Sequence, residues 1–423
     1  MSRRRVAVTG IGVIAPGGSG TDAFWKRIVS GDPATRLITA FDPAPFRSRV
    51  AAECDFHPED AGLTPHDAAR LDRATQFALA AAREALTDSG LPRTTGTAHR
   101  IGVSIGSAVG CTQKLESQYL DISDSGRTWL VDHARGAPEL YDYFVPSSMA
   151  AEVAWLTGAE GPATVVSAGC TSGIDAVGYA CELIREGTVD AVVAGGTDAP
   201  IAPITVACFD AIKATSPRND DPQHASRPFD RTRNGFVLGE GAAVLVLEDL
   251  AAARRRGARV RAEITGFASR GNAYHMTGLR PDGREMAAAI TAALHESRLP
   301  ATAVDYVNAH GTATKQNDRH ETAAIKRSLG PHAHRVPISS IKAVIGHSLG
   351  AVGSIEIAAT VLAIEHGVIP PTANLHDPDP ELDLDYVPLT ARDHRVDTAL
   401  TVGSGFGGFQ SAMVLTRAEA PAA

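Results

Sequence analysis

The sequence predicts a layered α/β fold, on three observations. Short β-branched runs alternate with stretches of helical apolar spacing. Several of those runs lack polar alternation, as strands covered on both faces do. Val260-Arg-Ala-Glu-Ile-Thr-Gly-Phe loosely echoes Val6-Ala-Val-Thr-Gly-Ile-Gly near the start, which agrees with two similar halves.

In chain order, Arg5–Val8, Ile101–Ile105, Thr164–Ser167, Ala191–Gly195 and Ala243–Glu248 read as strands. Between them Arg73–Ser89 carries helical apolar spacing, and Ser172–Gly187 reads as a helix stopped by glycine. A charged helical stretch, Ala251–Gly257, follows. The second part repeats the pattern with strands at Ala303–Asn308, Pro337–Ser339 and Ala399–Gly403 and helices at Asp282–Ser297, Asp318–Leu329 and Gly350–Glu365. A boundary near residue 257 divides the chain into residues 1–257 and 258–423. The turn-rich segment from Ser216 to Pro228 is expected to be an ordered loop near a site, and Pro421–Ala423 a frayed tail.

At 423 residues the chain exceeds one ordinary core. Hydrophobic residues at 44% against 21% charged argue against disorder. No apolar run of membrane-spanning length and no signal-peptide h-region is visible, so the expectation is a cytoplasmic protein with no membrane partner. A net charge of −8 argues against nucleic acid. Five scattered cysteines, with no paired zinc spacing, point away from disulfides and metal.

The chemistry concentrates in three segments. Cys170 lies in Val-Ser-Ala-Gly-Cys170-Thr-Ser-Gly. His310 lies in Asn308-Ala-His310-Gly-Thr, and His347 in Lys342-Ala-Val-Ile-Gly-His347-Ser-Leu-Gly. A thiolate forms acyl thioesters, and two imidazoles manage protons and developing negative charge. Each residue alone also reads as core packing, and the coincidence of three tips the balance toward acyl transfer at carbon. Placed between a strand and the helix from Ser172, the Cys170 sulfur is expected at a helix N-terminus, where free N–H groups favour the anion.

In these motifs the chain resembles the β-ketoacyl synthases of the thiolase superfamily. The likeness extends to Arg227-Pro-Phe-Asp, Gly235-Phe-Val-Leu-Gly-Glu-Gly, Asn272-Ala-Tyr-His-Met-Thr and Gly405-Phe406-Gly-Gly. Gly-Cys170-Thr-Ser-Gly, Cys208-Phe-Asp-Ala-Ile and Gln316-Asn-Asp-Arg-His-Glu-Thr are similar to the α subunit of bacterial type II polyketide ketosynthases. The resemblance implies a thiolase-like fold, two α/β halves in a five-layer αβαβα arrangement. It also implies decarboxylative condensation of malonyl-acyl carrier protein with a chain held on Cys170. His310 and His347 would face the thioester oxygen, with the N–H groups of Cys170 and Phe406 as an oxyanion hole. Lys342 and Glu321 match an internal ion pair. Thr312 and Thr314 match hydrogen-bonding partners of phosphopantetheine, Phe406 a gating ring, and Val109 an acyl-channel residue. The implied partners are an acidic acyl carrier protein, for which Arg70 and Arg73 are candidate contacts, and a chain-length factor as heterodimer partner. No metal or organic cofactor is implied beyond the phosphopantetheine that the carrier brings.

The same sequence also carries rival motifs. Gly346-His347-Ser348-Leu349-Gly350 spells a hydrolase elbow, with Asp379 and His394 downstream, but leaves Cys170 and His310 idle. Gly10-Ile-Gly12-Val-Ile-Ala15 imitates a dinucleotide fingerprint, but Pro16 breaks the helix it needs. A homodimeric fatty-acid elongating synthase is the nearest rival. A non-catalytic chain-length partner is disfavoured by the intact Cys170, His310 and His347.

Overall fold

The computed structural model describes residues 3–92 and 95–419. The predicted tail at Pro421–Ala423 lies outside the described residues. The first half supplies strands β1 (Val6–Ala15), β2 (Ile101–Gly106), β3 (Ala163–Val166), β4 (Ala191–Asp198) and β5 (Gly241–Asp249). Its main helices are α1 (Arg73–Ser89), α2 (Ser147–Thr157) and α3 (Ser172–Arg185). The second half supplies β6 (Ala262–Gly271), β7 (Tyr306–Asn308), β8 (Ile338–Ser339), β9 (Thr398–Gly405) and β10 (Phe409–Thr416). Its helices are α4 (Arg284–Ser297), α5 (Lys315–Leu329) and α6 (Val352–His366).

These strands join one sheet in the order β8-β7-β9-β10-β6-β1-β5-β4-β2-β3, with the short Gly18–Ser19 strand paired beside β1. Read outward from the antiparallel β6–β1 pair, each half lays its strands down in the same sequence rank: first, fifth, fourth, second, third. The senses match as well. β5 and β4 pair antiparallel, as do β10 and β9, and the outer two strands of each half run parallel to their inner neighbour. The loose sequence echo between β1 and β6 thus marks the first strand of each half.

Helices α1 and α2 cover the outer face of the first half, α4 and α5 that of the second, and α3 and α6 fill the space between. This is the five-layer αβαβα arrangement. Helix α1 begins at Asp72, whose carboxylate accepts from the Ala74 N–H, and ends at Gly90, φ 58°. Its small buried residues, Ala78, Ala81, Ala82 and Ala85 among them, let it lie close on β1.

The central helix α6 has no polar face. Thirteen of its residues, Val352 to Ile364, are buried, and each large aliphatic there contributes about 1.5–3 kcal/mol by burial. The apolar stretch Leu349–His366 would pass for a membrane span on length, but it packs inside the protein. Two glycines let α3 and α6 cross closely. A Cβ on Gly173 would lie 2.7 Å from the Ser354 nitrogen, and one on Gly353 2.6 Å from the Ile174 side chain. That crossing brings the segments before the two helices together, and those segments carry Cys170 and His347.

Candidate active site

The site gathers at the ends of equivalent strands. Cys170 lies in the turn between β3 and α3. Lys342 and His347 lie in the stretch between β8 and α6. His310 follows β7, and Phe406 follows β9. Cys170, His310, His347, Thr312, Thr314 and Phe406 all line one cavity of about 490 Å³.

Cys170 is half-buried and unpaired, and it precedes α3 rather than lying on it; Cys181 sits inside that helix. The expected preference for the anion is reversed. Burial pushes the thiol up to about 11, against the opposing pull of Lys342 and of the Phe406 N–H aimed at the sulfur. At rest Cys170 therefore carries a thiol, and any role as a nucleophile requires that proton to leave during reaction.

The Phe406 N–H reaches the sulfur because two loops touch. Gly169 (φ 58°) places its α-carbon where a Cβ would meet the Phe406 carbonyl at 2.8 Å. A Cβ on Gly405 would lie 2.8 Å from the Ala168 carbonyl and 3.2 Å from the Cys170 nitrogen. Gly405→Ala therefore pushes the Phe406 N–H away from Cys170. We expect a loss of about 10²–10³ in the condensation rate, the scale for one oxyanion donor, together with a lower Tm, because the added methyl meets backbone atoms that must shift; steady-state turnover and a thermal melt check it.

The two imidazoles stand 5.3 Å apart, centroid to centroid, with planes at 85°. Burial, reinforced by the Lys342 charge, holds both well below the ordinary histidine value, so both are neutral at pH 7. The Lys342 ammonium has donors only, and its Nζ lies 3.4 Å from His310 Nδ1. Nδ1 must then be the acceptor, which leaves the proton on Nε2. His310 is thereby fixed as a neutral Nε2–H donor.

One expectation is corrected here. Lys342 is not paired with Glu321; its ammonium bonds the carboxylate of Glu356 on α6, and all three residues are fully buried. The reason is geometric. Glu321, on α5, turns its two oxygens onto the backbone N–H groups of His310 (2.6 Å) and Gly311 (2.8 Å), so it holds the turn that carries the imidazole. Burial raises its carboxyl to about 8 and that of Glu356 to about 7. The requirement for an acid beside a buried lysine holds, but a different residue meets it. Glu356 had a visible signal: a carboxylate in the middle of the apolar run Val352–Ile364, fourteen residues after Lys342.

Arg70 and Arg73, the candidate carrier contacts, are both engaged within the chain. Arg70 is held by Glu152 and by Asp67 (3.1 Å). Arg73 is held by Glu240 at 2.7 Å and lies over the Phe77 ring at 4.7 Å. Neither lines the cavity, and each has its charge neutralised by a carboxylate.

The remaining predicted residues fall near the site. The Thr312 and Thr314 hydroxyls are 2.9 Å apart, and Thr314 also caps α5 by accepting from the Asn317 N–H. The Phe406 ring is tilted 6.3 Å from Phe209. Val109 does not line the cavity but packs in the same apolar cluster as Cys170, with Phe209, Phe236 and Leu349. The loop from Ser216 reaches the site, since Ser226 Oγ donates to the Lys342 carbonyl and Ser216 Oγ to Asn234 on the cavity wall.

The rival motifs dissolve in the fold. Gly10 and Gly12 lie within the continuous strand β1, not in a phosphate loop. Ser348 is 1% exposed, and Asp379 is engaged by Arg233.

The comparisons agree with this geometry. The sequence matches the family model "Beta-ketoacyl synthase, N-terminal domain" over residues 3–253 and "Beta-ketoacyl synthase, C-terminal domain" over residues 261–376. It is 66% identical over 416 residues to the tetracenomycin polyketide synthase ketoacyl synthase alpha subunit of Streptomyces glaucescens, covering 98% of each chain. Among solved structures it resembles a type II polyketide synthase complex of an acyl carrier protein with its ketosynthase bound to the hexaketide. There the TM-score is 0.92 and the identity 38%, with 99% of this chain and 100% of that one covered. It also resembles the ishigamide ketosynthase/chain length factor, with TM-score 0.89 and 33% identity over 99% of this chain and 100% of that one. A thiol and two neutral imidazoles on one cavity, in a doubled α/β fold matched by both family models, make this chain a member of the β-ketoacyl synthase family of condensing acyltransferases.

Proposed function

We propose that this chain is the ketosynthase α subunit of a type II polyketide synthase, with residues 1–257 supplying the nucleophile and residues 258–423 the imidazoles and lysine. The observation that carries the reading is the Cys170 sulfur on one cavity with His310 fixed as an Nε2–H donor. The high identity to a polyketide alpha subunit favours this branch over fatty-acid elongation.

The reaction divides into two steps. In the first, Cys170 Sγ attacks the acyl thioester on the phosphopantetheine of an acyl carrier protein. The carrier's thiol leaves with the proton, and the acyl group stays on sulfur. In the second, malonyl-carrier protein loses carbon dioxide, and the enolate oxygen receives Nε2–H bonds from His310 and His347. The enolate carbon attacks the Cys170 thioester carbonyl. The N–H groups of Cys170 and Phe406 hold the oxyanion, and the cysteine thiolate leaves and is reprotonated. The Thr312 and Thr314 hydroxyls meet the phosphopantetheine arm, and Phe406 gates the acyl side, with Val109 behind it.

The cations at the cavity mouth are Lys213 and Lys315. Both are exposed, and neither is paired with a carboxylate among the described residues. We assign them the role first given to Arg70 and Arg73, because an acidic carrier answers to local field rather than net charge. A chain-length factor fits the far end of the sheet. There the edge strand β3 packs beside helix α2, whose Trp155 is 74% exposed. We place the protein in the cytoplasm, where its thioester substrates are made.

The test is the intact mass of the carrier protein after incubation with a malonyl donor, this chain and the subunit that co-purifies with it, without reductase. Several successive ketide increments are expected; one condensation that stalls on a homodimer returns the protein to fatty-acid elongation. His310→Ala should still load Cys170 while losing about 10²–10³ in extension, read as acyl-enzyme mass without carrier elongation. Loss of loading itself would contradict that division of labour.

A further inference from the structure

We propose that Asp198 is a positioning residue for acyl transfer, whose single carboxylate locks the turn that carries Val109, packed in the Cys170 cluster, to the segment that carries His347 and Leu349. The inference rests on the reading of Cys170 as the acyl-carrying nucleophile. Asp198 ends β4 with no exposed surface, and nothing in the acyl-transfer steps uses it directly.

Its oxygens are fully engaged, and the donors come from two different halves. Oδ1 accepts from Ser107 Oγ at 2.6 Å and from the Val109 N–H at 3.2 Å. Oδ2 accepts from the Ala108 N–H at 2.9 Å and from the Gly350 N–H at 2.7 Å. Ser107 Oγ in turn accepts from the Gly110 N–H at 3.0 Å, which closes the turn. One side of this clamp is therefore the turn that follows β2; the other is the stretch three residues beyond His347.

Both sides touch the reaction. Val109 and Leu349 pack in the cluster that contains Cys170, and Leu349 lines the cavity in a left-handed conformation, φ 48°. For a residue with a branched side chain that conformation is strained and persists only where the surroundings hold it. The Gly350 N–H bond to Asp198 is what holds it. Space is also set by this clamp, since a Cβ on Gly350 would lie 2.4 Å from the Ala108 nitrogen and 2.6 Å from Asp198 Oδ2.

Only a carboxylate satisfies four donors. An amide puts N–H hydrogens where one oxygen was; the Ser107 hydroxyl can turn to accept from them but a backbone N–H cannot, so the Val109 contact, or the Ala108 and Gly350 pair, must open. Leu349 on the cavity wall and Val109 packed behind it then shift, and a long acyl chain feels the shift where a two-carbon acyl group does not.

The test compares Asp198→Asn and Ser107→Ala with the wild type, each purified with its co-purifying subunit. Acylation of Cys170 by N-acetylcysteamine thioesters is followed by intact mass. The donors are acetyl and the longest straight chain, from butanoyl to octanoyl, that the wild type accepts. Asp198→Asn is expected to depress the long-chain kcat/KM about tenfold relative to acetyl, mostly through KM. Ser107→Ala, which keeps the carboxylate and loses one donor, should move the same ratio less in the same direction, and it carries the test if Asp198→Asn does not fold. Equal loss with both donors, or no change in the ratio for either variant, overturns the positioning role. A wild type that takes up neither acyl group would count against Cys170 as the acyl carrier instead.

Discussion

Cys170→Ala is expected to abolish ketide extension altogether while leaving the fold intact. The variant loses one sulfur from a half-buried site, a packing change of about 1 kcal/mol or less. Its far-ultraviolet circular dichroism and Tm should therefore match the wild type closely. Mass spectrometry should show neither an acyl-enzyme nor an elongated carrier. No other cysteine substitutes, because Cys54, Cys111 and Cys181 are buried and only Cys208 is exposed, outside the cavity lining. Alkylation of the wild type by iodoacetamide should rise with pH, since the thiolate reacts and burial holds Cys170 near about 11. Elongation by the Ala variant would remove Cys170 from the mechanism.

Lys342→Ala has the second largest expected effect, and it acts on stability and activity together. The lysine neutralises Glu356 and donates toward His310 Nδ1, and none of the three residues reaches solvent. Stranding a buried charge costs about 3–5 kcal/mol. The protein has an escape, because burial already raises the Glu356 carboxyl to about 7 and removal of the ammonium raises it further. The variant then folds with Glu356 protonated. A carboxyl whose folded value lies above its unfolded value of 4.5 imposes no penalty at low pH, where both states are protonated. The penalty grows as pH climbs past the unfolded value and toward the folded one. The Tm deficit of Lys342→Ala should therefore be small near pH 5 and large near pH 8. Adding Glu356→Gln should flatten that pH dependence without restoring condensation, because the His310 tautomer is still unset. Recovery of condensation in the double variant would contradict the role assigned to Lys342.

The sequence made much of this legible where the physics is local. The strand and helix runs came through because 3.6- and 2-residue periodicities and glycine stops are written into neighbouring positions; Arg73–Ser89 agrees with the helix to the residue. β10 and the helices Thr112–Ile122 and Pro203–Ala211 were not anticipated. β10 carries little signal of its own, since Phe409–Thr416 follows a Gly-rich turn and gains its identity by pairing between β6 and β9.

At the site, Cys170, His310 and His347 were legible because small residues and glycines crowd around each. The partner of Lys342 was not, because which carboxylate faces a buried lysine depends on how α6 crosses α3. The carboxylate partners of Arg70 and Arg73 were hidden for the same reason. A basic pair at a helix start looks free until Glu152 and Glu240, more than eighty residues away, fold onto it. Asp198 gave no signal at all, since its four donors come from residues 107 to 109 and from residue 350.

The repeated strand order has a consequence for how such a site is composed. The turn before α3 holds a thiol, and its counterpart before α6 holds an imidazole; the turn after β2 holds Val109, and its counterpart after β7 holds His310. A self-complementary dimer built from one half would repeat the same side chain at both places, because a two-fold axis copies every residue. Two thiols or two imidazoles facing each other cannot divide nucleophile from donor. Joining the halves in one polypeptide breaks that copying while the axis of the backbone remains, so equivalent positions are free to hold unlike chemistry. The enzyme therefore contains a near-symmetric frame around a reaction centre that symmetry alone would forbid.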